Sequence, residues 1–183
     1  MQRYQRCYLQ PNCSKMSSGN HLRRLQALKV GRDYGVKRIE VNLDQGEYHG
    51  WIHINLTIDG LTRTIWATAV APPFDDIAEF LKDVLVGTFP AECVIEEERY
   101  ASWFTALAHP DSNLFRFQLS GSGYNEIYMD NVFVRSQFAL AFFLALKTFE
   151  RRYFNAELWG ISWMFDASTE PLRILIEQTF PEE

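Results

Sequence analysis

The sequence predicts an α+β domain with a mostly antiparallel sheet, a hairpin plus a meander, packed against an amphipathic helix, a long apolar helix and a short C-terminal helix. Three observations predict it. Asp59-Gly60 separates two long alternating runs, and four further strand-like runs crowd between residues 91 and 134. The helical patterns lie between and after these strands instead of following each one in turn, so the βα rhythm of a doubly wound parallel fold is absent.

Val36 to Leu43 reads as a first strand, with Val36, Arg38 and Glu40 alternating against Lys37, Ile39 and Val41, and Asp44-Gln45-Gly46 reads as the turn after it. His49–Ile58 and Leu61–Val70 follow as a hairpin. Asp-Gly supplies the positive φ angles of a two-residue type I′ turn, which fixes the register. Ile58 then faces Leu61, Leu56 faces Arg63, Ile54 faces Ile65 and Ile52 faces Ala67, and that face is assigned to the core. Ala71-Pro72-Pro73 ends the hairpin because proline cannot donate to a ladder.

Ile77, Phe80, Leu81, Val84 and Leu85 form one apolar stripe at helical spacing. Asp75, Asp76 and Glu79 suit the positive end of that helix, and Gly87 is its natural stop. The meander is read as Ala91–Glu97, Tyr100–Ala108, Asn113–Ser120 and Glu126–Val134. Arg135–Asn155 is the second helix, with Phe138, Leu140 to Leu146 and Phe149 spread around most of its circumference, so burial on more than one side is expected. Leu158–Phe165 is read as a short strand. A last helix is expected to start near Ser168-Thr169-Glu170-Pro171, with Leu172, Leu175, Ile176 and Phe180 facing inward.

Composition sets the broad class. The chain has 183 residues, 47% of them hydrophobic and 15% aromatic, too rich in Phe, Tyr and Trp for a solvated coil. The longest strongly apolar stretch, Phe138–Leu146, is about half of the ~20 residues that a membrane span needs. The net charge of −5 is unevenly divided. Residues 1–32 carry seven cations and no acid, whereas residues 33–183 carry 11 cations against 23 acids, a net of −12. The domain is therefore drawn at 33–183, and 1–32 is expected to be a poorly ordered basic arm, with Met16 as an alternative start. Targeting and nucleic-acid contact are the other readings of the arm. Cys7, Cys13 and Cys93 make an odd count without a CxxC pair, which points to a reducing compartment, the cytoplasm, and not to a disulfide framework.

Signatures of catalysis are sparse. His49 and His53 share a strand face but lie about 13 Å apart by strand rise, too far to share a metal. The Cys7, Cys13 and His21 spacing fits no standard zinc knuckle. Glu96 and Glu98 share one strand face while Glu97 takes the other, as expected of a solvated acidic corner beside Arg99. Gly121-Ser122-Gly123 lacks nucleotide-binding spacing, and no serine sits in GxSxG. Neither a catalytic residue, a metal nor a cofactor is assigned.

The second face of the hairpin is the sharper candidate. Its register pairs Thr57 with Thr62, Asn55 with Thr64, His53 with Trp66 and Trp51 with Thr68, which makes the two tryptophans diagonal neighbours beside His53. Aromatic anchors among small polar side chains are favoured at protein interfaces. Trp51, His53, Asn55 and Trp66, with Glu96 and Glu98 for a basic partner, are therefore the candidate partner-binding residues. The competing reading covers this face with the arm, with the Trp159–Trp163 segment or with a second protomer as a homodimer.

Over residues 47–150, GWIHINLTIDG, PFDDIAEFLKDVLVGTFPAECVIEEE and RSQFALAFFLALKTFE follow one another in an order that resembles small uncharacterised bacterial α+β domains, some of them immunity proteins of polymorphic toxin systems. Arg99-Tyr100 replaces the small turn residue usual after the acidic stretch. The resemblance implies a non-enzymatic protein-interaction domain, immunity-like neutralisation of a basic toxin being its most concrete form, and the −12 body suits such a partner. The alternative is a small-molecule-binding or hydrolytic domain with a pocket between sheet and long helix, lined by Trp103 and Tyr128.

Overall fold

The fold is described from a computed structural model over residues 35–46, 50–68, 73–121, 126–153 and 165–179. Eight strands and three helices follow in the order β1 (Val36–Lys37), β2 (Glu40–Gln45), β3 (Trp51–Ile58), β4 (Leu61–Thr68), α1 (Phe74–Val86), β5 (Ala91–Glu97), β6 (Tyr100–Ala108), β7 (Leu114–Gly121), β8 (Glu126–Val134), α2 (Arg135–Tyr153) and α3 (Phe165–Thr179). This is an α+β arrangement, antiparallel except where β1 runs parallel to β8.

The strands form two sheets. β1-β8-β7-β6-β5 is a five-stranded meander with β1 added, and β2-β3-β4 is a separate three-stranded sheet. Val36–Leu43 is accordingly not one strand. Val36 and Lys37 pair with Val132 and Phe133, and Glu40–Gln45 pair with Thr57 back to Ile52. Alternation runs unbroken through this stretch, but it does not say which strand lies alongside, and the chain changes sheet at Arg38-Ile39. Asp44 and Gln45 also belong to the ladder and not to a turn, because the Asp44 carboxylate is engaged across the sheet by Asn55 and His53. Those bonds outweigh the preference of aspartate for turns.

The hairpin has the register that Asp59-Gly60 demands. Both turn residues have positive φ, 52° and 78°, and all eight cross-strand pairs from Ile58–Leu61 to Trp51–Thr68 are formed. Its inner face buries Ile52, Ile54, Leu56, Ile58, Ile65 and Ala67. Leu61 is the exception, 76% exposed at the tip, and Arg63 next along that face lies over the ring of Tyr128 at 3.8 Å. The hairpin end projects past the core, and a cation–aromatic contact closes it.

α1 buries Phe74, Ile77, Ala78, Phe80, Leu81 and Val84, and Gly87 ends it at φ 81°, its N–H donating to the Asp83 carbonyl at 2.9 Å. α2 buries a single stripe, Phe138, Ala139, Phe142, Ala145, Leu146 and Phe149, while Leu144 is exposed. Burial on several sides, expected from its apolar content, is therefore replaced by one buried stripe with half-buried flanks. α3 begins at Phe165, earlier than Ser168, and takes Pro171 into its interior. Leu172 and Ile176 are buried along it and Leu175 is half-buried, whereas Phe180 and most of the expected strand Leu158–Phe165 lie outside the described residues.

Phenylalanines knit the core. Phe117 meets Phe80, Phe104, Phe133 and Phe138 at ring-centroid distances of 5.0–6.4 Å, and Phe142 meets Phe104 and Phe138. Such offset and edge-to-face pairs add to plain area burial. The helices cover the face of the large sheet that carries these rings, and α2 also packs against β2 of the small one. None of the helices among the described residues is long and apolar enough to cross a membrane.

Candidate functional site

The outer face of β2-β3-β4 gathers most of the candidate residues. In adjacent rows, Asp44 pairs with His53 and His53 with Trp66, and Asn42 pairs with Asn55 and Asn55 with Thr64. Alternation puts these side chains opposite the buried isoleucines, so the local pattern that builds the core also builds this face.

Asp44 is the hub. His53 Nδ1 donates to its Oδ1 at 3.1 Å, and Asn55 Nδ2 and Asn42 Nδ2 donate to its Oδ2 at 3.1 and 3.3 Å. Thr64 Oγ1 donates to Asn55 Oδ1 at 2.6 Å, and the Thr57 and Thr62 hydroxyls meet at 2.8 Å. Asp44, His53, Asn42, Asn55 and Thr64 thus form one connected network, which constrains its members together, with the Thr57–Thr62 pair beside it. Over it lie the aromatic rings. The His53 ring is 4.3 Å from Trp66, and Trp51 meets Trp66 edge-on at 6.5 Å and 73°. Gly46 makes room for this packing, because a Cβ there would come within 2.9 Å of His53 Nε2 and 3.0 Å of Trp51 Cβ. His53 Nε2 is buried without a hydrogen-bond partner. Trp66 is 48% exposed, whereas Trp51, His53 and Asn55 are half-buried.

Glu97 joins this face to the other sheet. Trp66 N–H donates to Glu97 Oε2 at 3.1 Å, and Ser102 Oγ donates to Oε1 at 2.5 Å. The open edge of β4 is thereby held by the last residue of β5. Glu96 and Glu98 do not join the tryptophan face. Glu96 is exposed in β5 opposite Ala101, and Glu98 occupies the turn at φ 37°, so these two do not share a strand face either. The acidic residue that sequence reasoning missed is Glu97, which follows Ala91, Cys93 and Ile95 on the core-side phase of β5. A carboxylate in that phase is the signal that marks it. Asp44 was missed because it was read as a turn.

The remaining chemical candidates take structural places. Asp75 and Asp76 occupy the first turn of α1, and His109 Nδ1 accepts the N–H of Asp111 at 3.1 Å within a turn. The Cys93 thiol is buried in the core, and burial, then the nearby Asp76 carboxylate, push its pKa far above its ordinary value. Among the described residues no group of three His, Cys, Asp or Glu side chains is placed to hold a metal ion. His21, His49, Cys7, Cys13 and Trp159–Trp163 lie outside the described residues.

The pocket expected between sheet and long helix is not lined by Trp103. Phe104, its neighbour, faces α2 and touches Phe142, so alternation sends Trp103 to the opposite side of the sheet. The space beneath α2 is filled by Phe104, Phe117, Phe138 and Phe142. A cleft does open at the margin, between the β1–β2 crossing and the start of α2.

The tryptophan face thus combines one exposed indole with a hydrogen-bonded polar surround. No protein-family model, no curated protein and no solved structure matches this chain.

Proposed function

We propose that this chain is a non-enzymatic protein-interaction domain whose recognition surface is the outer face of β2-β3-β4, with Trp66 as the anchor. The observation that carries the reading is the half-exposed Trp66 ring, packed against Trp51 and His53 on a strand whose backbone Glu97 holds, with Asn55, Thr64 and Thr68 in the neighbouring rows. Interface hot spots combine these properties, an aromatic anchor with little rotamer freedom left to lose and a polar rim.

The partner in this reading is basic. Residues 33–183 carry a net charge of −12, and Glu40 lies on the same face in a row with Thr57 and Thr62, where no cation accompanies it. Capture of a basic toxin, as the resemblance to immunity proteins implies, is the most concrete form. An acidic surface raises the rate of encounter with such a protein, and added salt lowers it.

Pull-down of the tagged chain from cells of its source, at low and at high salt, tests the reading. A basic partner retained at low salt and shed at high salt is expected. Retention that ignores both salt and substitution of Trp66 contradicts it.

A further inference from the structure

The cleft at the margin of the core has a volume of about 250 Å³ and is lined by Lys37, Arg38, Ile39, Phe133, Val134, Gln137 and Phe138. It lies where the chain crosses from the five-stranded sheet into the three-stranded one, and none of its lining residues belongs to the Trp66 face. Its two halves differ in chemistry. Ile39, Phe133 and Phe138 are buried and form an apolar floor, and the rim carries two cations and an amide.

The rim charges are not equally committed. Lys37 Nζ already pairs with Asp59 Oδ2 at 2.7 Å. Arg38 is exposed and has no hydrogen-bond or ion-pair partner among the described residues, and the same holds for Gln137. The first turn of α2, which borders the cleft, holds no acidic side chain. In a domain of net charge −12 this leaves a local cationic spot with one uncompensated guanidinium over an aromatic floor. One free positive charge calls for one negative charge, and guanidinium matches the two oxygens of a carboxylate. The volume falls just below the range of about 300–1,000 Å³ of drug-sized sites, which limits the guest to roughly ten heavy atoms.

We infer that this cleft binds a small monocarboxylic acid with an apolar body, its carboxylate on Arg38 beside Lys37 and Gln137 and its body on Ile39, Phe133 and Phe138. The site is separate from the Trp66 face, and either assignment can fail without the other.

The test is an NMR titration of the full chain with 3-phenylpropanoate, and in parallel with the uncharged 3-phenylpropanamide. Saturable shifts of residues 37–39 and 133–138 are expected with the acid, and binding of the amide about tenfold weaker or worse. Arg38→Gln weakens the acid by at least a comparable factor and leaves the amide unchanged. Gln137→Glu, at the exposed rim, places a like charge beside the carboxylate and also weakens the acid alone. Both positions are exposed, so an unchanged thermal midpoint is expected of each variant. Equal binding of acid and amide, shifts confined to other residues, or no saturable shift at millimolar ligand overturns the assignment.

Discussion

The backbone N–H of Trp66 on β4 is held by the Glu97 carboxylate at the end of β5, at 3.1 Å, so one side chain fastens the edge of the small sheet to the edge of the large one. The same carboxylate takes the Ser102 hydroxyl through its other oxygen. Glu97→Ala orphans both donors and is expected to cost about 1–3 kcal/mol. Glu97→Gln keeps an acceptor for one of them and costs less. Urea unfolding of the two variants checks the order, and equal stability of both with the parent chain contradicts it.

Gly46 lies against the imidazole of His53 and the Cβ of Trp51, where an added methyl group has no room. Gly46→Ala is expected to displace the imidazole from Trp66 and to destabilise the chain by about 1–3 kcal/mol, the usual range for overpacking. The ring-current shift on the His53 protons reports the displacement. A variant that keeps both that shift and its stability removes the steric argument.

Phe117 is fully buried and touches four other phenylalanines of sheet and helices. Phe117→Ala is expected to cost about 3–5 kcal/mol, as truncations at well-packed aromatic sites do. Denaturant unfolding measures it, and a cost below about 1 kcal/mol would mean that the core is not packed as described.

Cys93 gives the stability a pH dependence of known sign. Burial, and then Asp76, hold its thiol protonated well above the ordinary value near 9.0. Above that pH the unfolded chain has released a proton that the native chain keeps, so stability falls as pH rises, by up to about 1.4 kcal/mol per pH unit. Below it the contribution is fully present. Cys93→Ala should flatten this alkaline limb, and native Cys93 should resist alkylation until the chain unfolds. Parallel alkaline limbs in the two proteins would show that the thiol is not buried.

How much of this was legible depends on what kind of interaction fixed each element. The hairpin was readable to the residue pair because Asp59-Gly60 sets its register locally. The division of Val36–Gln45 between two sheets was not, since the alternation runs unbroken from Val36 to Val41 with nothing to name Phe133 as the partner of Lys37 or Thr57 as that of Glu40. α2 looked apolar all round, but Leu144 faces solvent because one stripe was enough to meet the sheets. Trp51, His53, Asn55 and Trp66 were brought together as the register required. Glu96 and Glu98 were grouped with them on charge alone, and the residue that reaches the face is Glu97, whose strand phase, not its charge, was the clue.

Partner binding through Trp66 makes opposite demands on retention and stability, and one comparison separates them. The parent chain, Trp66→Ser and the distant surface variant Glu79→Ser are measured side by side for partner retention at low salt and for thermal midpoint. Trp66→Ser is expected to lose the partner while its midpoint moves by no more than a few degrees, and Glu79→Ser to keep both. Retention of the partner by Trp66→Ser, or collapse of its thermal midpoint, would return the Trp66 face to a purely structural role.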